Sequence, residues 1–161
     1  MALPPRNAGP AVAWAGLACG TLDITQAFVA WGFMGVTPIQ ILQSVASGAL
    51  GPASFQLGWR SAILGLTFHF LIAFTAAAVF WIASRFLPLL TTHALISGLI
   101  YGELVYLFMN FVVVPLSALH RFPIYSKAHL ATGPIGHPIL VGLPIALIVR
   151  HFSVPSPAIN S

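Results

Sequence analysis

The sequence predicts an all-α integral membrane protein: a four-helix bundle with one short amphipathic or re-entrant helix between its first two spans. Three observations predict it. Of 161 residues, 58% are hydrophobic. Only 5% are Asp, Glu, Lys or Arg, against roughly 25% in a soluble domain. So few charges cannot coat a water-facing surface. Finally, four apolar stretches reach the ~20 residues that a helix needs to cross a bilayer. The length suits one domain, residues 1–161.

Charge and cysteine usage exclude several classes. The net charge of +4 comes from six scattered Lys and Arg against two acids. With no basic run, neither nucleic acid nor a polybasic contact to anionic lipid is expected. Cys19 is the single cysteine, which removes internal disulfides and multi-cysteine metal motifs.

Taken in order, residues 1–10 read as a Pro-rich tail, and residues 11–35 as the first span. Gly16-Leu17-Ala18-Cys19 is faintly like a lipoprotein cleavage box. Its leucine is misplaced and the apolar run continues past Cys19, so an uncleaved span is expected. Gly16 and Gly20 form a small-xxx-small pair that admits a neighbouring helix. Thr37-Pro38 reads as a helix start, a capping hydroxyl followed by Pro in the first turn. Over residues 38–50, Gln40, Gln43, Ser44 and Ser47 line one face and Ile39, Leu42, Ala46 and Ala49 the other. This helix is too short to span, and a place over the end of the bundle is favoured over a lid or gate. Gly51-Pro52 ends it. The second span is expected over residues 59–85, with Trp59 and Trp81 at belt positions. The third, over 93–118, carries Gly98-xxx-Gly102. A loop follows over 120–127.

The fourth span, over 129–151, contains Gly133-Pro134-Ile135-Gly136-His137-Pro138-Ile139-Leu140-Val141-Gly142-Leu143-Pro144. Proline removes an amide donor and clashes with the preceding turn. In lipid the freed carbonyls need partners within the protein or in a wet cavity. Pro134, Pro138 and Pro144 are therefore expected to act as a hinge arranged around His137. Four spans put both termini on one side. Arg6, Arg85 and Arg150 balance Arg60, Arg121 and Lys127, so the positive-inside rule does not orient the chain. Cytoplasmic termini are the working assignment.

The two carboxylates, Asp23 and Glu103, both fall inside spans. A charge at mid-membrane costs at least ~2.5–3.5 kcal/mol, so it is kept only where shielded, and usually where useful. His69 and His137 join them, giving one ionisable group per span. At ~1.5 Å per residue all four fit one layer near the midplane. Asp23 shares a stripe with Gly16, Gly20, Ala27 and Ala30, and His69 with Ala62, Gly65, Ala73 and Ala76. Such small-residue stripes mark helix contacts, so both groups are expected to point inward. Glu103, Tyr106 and Asn110 share a third stripe. The candidate proton- or substrate-binding set is thus Asp23, His69, Glu103, Asn110 and His137. Its competing reading is interhelical hydrogen bonding.

Buried carboxylates and imidazoles shift towards neutrality, which suits proton transfer. The Glu-x-x-His pairs of di-iron bundles are absent. No cofactor is expected, with haem or a metal at His69 and His137 the weaker alternative. No nucleophile–base motif is present, which argues against an enzyme. The chain reads as a small transport or proton-coupled permeation protein, acting as a homo-oligomer. The alternative is an accessory or assembly subunit of a larger membrane complex.

Several stretches carry a resemblance: the run Gly65 to Arg85, Gly98-Leu-Ile-Tyr-Gly102, Phe108-Met-Asn-Phe-Val-Val-Val-Pro-Leu-Ser117, Gly136-His137 and Gly142-Leu-Pro-Ile-Ala-Leu147. Together they resemble the YagU-like family of small bacterial inner-membrane proteins. The stretch Gly16 to Asp23 looks like the start of close relatives. The resemblance implies a bacterial inner membrane and an all-helical fold. It supplies no catalytic residues. The long polar segment that follows the first span in some members is shortened here to the amphipathic helix.

Overall fold

The computed structural model describes residues 8–120 and 131–153. Every regular element among them is helical. Helix α1 runs Ala8–Gly32, α2 Pro38–Leu50 and α3 Trp59–Phe86. Helix α4 spans Ala94–Leu116 and α5 Gly133–Ser153. The four longer helices are long and apolar enough to cross a membrane. Their large outward side chains are apolar, from Trp14, Leu22 and Val29 on α1 to Phe108 and Phe111 on α4. A surface of that kind is stable in lipid and not in water, and the chain is a polytopic membrane protein. The tails at 1–7 and 154–161, most of the 120–127 loop and the expected start of the fourth span at 129 lie outside the described residues.

Helix α1 starts and stops about three residues earlier than the hydropathy suggests. Its end is a Schellman closure: Gly35 sits at φ 80°, and its N–H reaches Gly32 O at 2.9 Å. The Val36 N–H reaches Trp31 O at 3.1 Å. Only glycine takes that φ without strain, so Gly35 ends the helix inside a still-apolar sequence. Two residues later Thr37 caps α2 as expected. Its N–H donates to Gln40 Oε1 at 2.9 Å, its Oγ1 accepts from Gln40 N at 3.4 Å, and Pro38 occupies the first turn.

The spans pack through missing side chains. Gly16 and Gly20 of α1 receive Phe74 and Phe70 of α3; a Cβ at Gly20 would stand 2.8 Å from the Phe70 ring. Gly98 and Gly102 of α4 lie on the backbone of α5 at Gly142, His137 and Pro138. Gly142 returns the contact on Gly98 and Gly102. Both small-xxx-small pairs thus mark interfaces, as read from the sequence. Helix α5 is central, touching α1 on one side and α4 on the other. A core of Cys19, Ala73, Ala77, Phe80, Ile145 and Val149 fills the half of the bundle nearer the α1 N-terminus.

Helix α2 departs from its amphipathic reading. Gln43 and Ser47, expected on its polar face, are buried, whereas Ala49, expected on the apolar face, is exposed. Hydrogen bonds to the next turn hold Gln43 there, and the Ser47 hydroxyl is satisfied by Ser44 O of its own helix. Gln43 Nε2 donates to Gly58 O at 3.0 Å, and Ser54 Oγ donates to Gln43 O at 2.6 Å. Ser61 Oγ donates to Ser54 O at 2.6 Å. The turn Gly51–Gln56 and the start of α3 are knitted to the buried polar side of α2. Gly65 lets the α2 backbone at Leu42 and Ala46 press directly on α3. The Ala118 N–H donates to Gly48 O at 2.8 Å, so α2 also meets the residues just past α4. It lies along the first turns of α3, beside the residues just past α4.

Prolines change the helical register without interrupting it. Met109–Val113, just before Pro115, is a π turn within α4. The segment Ala131–Gly142, holding Pro134 and Pro138, is π-helical before Leu143–Ser153 resumes the α register, with Pro144 in its first turn. A proline ring that would collide with the carbonyl four residues back is accommodated by the wider i→i+5 turn.

Candidate functional site

The expected polar layer is assembled in part. A cavity of about 140 Å³ lies between the helices, and Asp23, His69 and His137 line it together with Cys19. Val45 of α2, Met109 of α4 and Val141 of α5 complete its wall, so all five helices contribute. The volume equals about four to five waters at ~30 Å³ each.

Each polar group has an identifiable setting. Asp23 follows Cys19 by one helical turn, which puts both on one face of α1. Asp23 is half-buried, and no hydrogen bond or ion pair joins its carboxylate to another described residue. His69 reaches across to α1, its Nε2 lying 2.8 Å from Gly20 O. A carbonyl only accepts, so Nε2 carries the proton, and Nδ1 of the neutral ring keeps its lone pair. The same glycine that admits Phe70 therefore also anchors the imidazole. His137 sits in the π segment with its ring centroid 5.5 Å from that of Tyr106. Tyr106 itself packs against Gly133, where a Cβ would collide with its ring.

Glu103 and Asn110 stand apart from this cavity. The α4 residues on its wall are Val105 and Met109. At ~100° per residue Glu103 lies about 160° and 120° round the helix from them. It is half-buried on the opposite flank, without a hydrogen bond or ion pair to another described residue. Asn110 turns back on its own helix, its Nδ2 donating to Tyr106 O at 2.9 Å. One depth in the membrane does not make one site, because rotation about the helix axis decides which groups meet. Cys19 and Val45 were not candidates from the sequence. The spacing of Cys19 from Asp23 could have flagged the first. Nothing in the sequence shows that α2 reaches Val45 into the bundle.

Among the described residues, no three His, Cys, Asp or Glu side chains converge to hold a metal ion. The Nε2 of His69, one of two nitrogens able to bind an axial metal, is held by Gly20. The arrangement suits reversible protonation: a carboxylate and two imidazoles around a space of a few waters, walled by apolar side chains.

A second, apolar groove adjoins the cavity. It runs between α3 and α4, has a volume of about 540 Å³, and shares Ile72, Ala76, Val105 and Met109 with the cavity wall. Tyr101 closes one end, its hydroxyl donating to Ala76 O at 2.7 Å and its ring 5.0 Å from that of Phe80.

Compared with known proteins, the chain matches no family model, no curated protein and no solved structure.

Proposed function

We propose that this chain is a small transport or proton-coupled permeation protein, in which the cavity among α1, α3 and α5 is where protons are bound and released. One observation carries the reading: Asp23, His69 and His137, from three different spans, line one cavity. Asp23 is the proton-binding acid. His69, held in one tautomer by Gly20, and His137 are the relay or substrate-binding groups. Acid and imidazole side chains are the groups that proton relays within membranes are built from. The setting is a bacterial inner membrane with cytoplasmic termini. The test is proton flux in liposomes under an imposed pH gradient, read with an internal pH dye. The expected result is flux by the wild type and at least a tenfold loss in Asp23→Asn. Equal flux in both would sink the proposal.

A second reading, an accessory subunit of a larger membrane complex, is favoured by Glu103. A half-buried carboxyl in a span, turned away from the cavity, needs shielding from lipid, and another chain is one source. Copies of this chain in a homo-oligomer are another. Native mass spectrometry of protein extracted gently from its own membrane separates them: a foreign subunit at fixed stoichiometry supports the accessory role, and copies of this chain alone support the permeation protein.

A further inference from the structure

The groove and the cavity together have the form of a site for an amphiphile. They share four wall residues, Ile72, Ala76, Val105 and Met109, so the two spaces lie side by side. The groove is elongated along the helices: on α4 it extends from Tyr101 to Val113, about 18 Å at ~1.5 Å per residue. Its volume of about 540 Å³ falls within the roughly 300–1,000 Å³ of ligand pockets. Its wall is apolar apart from Thr75 and the hydroxyl of Tyr101, and that hydroxyl is spent on Ala76 O. Several of its residues, such as Leu71, Val79 and Phe108, are also large exposed side chains of the lipid-facing surface. The groove is therefore entered sideways from the bilayer and suits one long hydrocarbon chain.

The cavity end selects the head. Among the described residues its polar groups are the Asp23 carboxylate, two imidazoles and one thiol, with no Lys or Arg. A carboxylate with no Lys or Arg beside it among the described residues attracts donors and positive charge and repels anions. The space, about 140 Å³, fits a head of a few heavy atoms.

We infer that the cavity and groove form one lateral binding site for a single-chain amphiphile with a small ammonium head, the head at Asp23 and the tail between α3 and α4. This deepens the permeation reading by naming the substrate class of the same cavity. It does not depend on proton coupling.

The experiment uses the full chain in phosphatidylcholine nanodiscs and measures saturable binding of radiolabelled dodecylamine, dodecanol and dodecyl sulfate. A diazirine-tailed dodecylamine maps the contact by crosslinking and peptide sequencing. The expected results are one dodecylamine per chain, a preference over dodecanol of at least about tenfold, the worth of a charge-assisted hydrogen bond, and no saturable dodecyl sulfate binding. Crosslinks should fall on the groove, at residues such as Thr75 and Phe108. Thr75→Trp puts an indole into the groove from an exposed position and should cut binding at least tenfold; Asp23→Asn should remove the preference for the amine. Sulfate binding as tight as amine, crosslinks away from α3 and α4, or unchanged affinity in a Thr75→Trp chain of wild-type helicity would overturn the inference. So would Thr75→Trp dissociating an oligomer, because the groove would then hold a second copy. Loss of proton flux in the liposome assay with amine binding intact removes only the permeation reading. Flux without amine binding removes only this one.

Discussion

The contact of α4 with α5 gives the most demanding prediction, because one methyl group tests it. A Cβ on Gly102 would overlap the His137 carbonyl oxygen and lie 2.6 Å from Pro138 Cα. Carbon atoms pack at ~3.5–4.0 Å, so the two backbones must part by about 1 Å. Neither obstacle is a side chain that can swing away. Overpacking costs about 1–3 kcal/mol, and backbone against backbone belongs at the upper end. Alanine recovers up to about 1 kcal/mol of helix propensity, which leaves a net destabilisation of about 2 kcal/mol. Gly48→Ala is the control. Its Cβ meets nothing closer than Ser117 Cβ at 3.8 Å, so the same propensity gain should appear alone, as a stabilisation of up to about 1 kcal/mol. The two substitutions should differ by about 3 kcal/mol, more than a hundredfold in the unfolding constant. Steric-trapping or SDS-titrated unfolding in bicelles measures it. Equal stability of the two variants, within about 0.5 kcal/mol, would refute the packing scheme.

Three further outcomes are expected. Ser54→Ala removes the donor to Gln43 O and the side chain that orders the 51–58 turn, and it should cost about 1–3 kcal/mol; hydrogen exchange over residues 38–58 should speed up while that of α5 does not, and uniform acceleration would count against a local anchor. His69→Phe keeps a ring but removes the interhelical bond to Gly20 O, which retains only its partner within α1. It should lower stability by about 1–2 kcal/mol in the same unfolding assay, and a variant as stable as wild type would show the bond is not needed. Cys19 is 1% exposed and lies between Gly16 and Ala73. It should resist maleimide in the folded protein and react fully after denaturation in SDS; rapid labelling of the native state would contradict that core.

Much of this protein is legible without coordinates. The shortage of charge and the length of the apolar runs settle the all-α spanning architecture, because a bilayer accepts no unpaired backbone and therefore dictates helices. The capping chemistry of Thr37-Pro38 settles where α2 starts, since it acts within one turn. Gly16, Gly20, Gly98 and Gly102 were readable as interfaces because close approach requires the absence of a side chain. Sequence spacing alone also put Asp23 and His69 on inward faces.

Other features were decided only by the tertiary structure. The same periodicity that placed Glu103 at the depth of Asp23 says nothing about which neighbour its flank of α4 meets, and α5 and α3 both turn out to lie elsewhere. The sequence shows that α2 has a polar and an apolar stripe, but burying Gln43 is costly unless partners exist. Ser54 and Gly58, the partners of Gln43, become visible only once the following turn folds back, whereas the Ser47 hydroxyl donates to Ser44 O within α2. Proline in a span announces freed carbonyls, but whether the helix breaks or widens depends on what packs around it. Here α4 and α1 hold Ala131–Gly142 in a wide register, with His137 on the cavity. Composition and local chemistry act along the chain and can be read there. Rotation, partner choice and cavities arise between helices, where pairings distant in sequence decide.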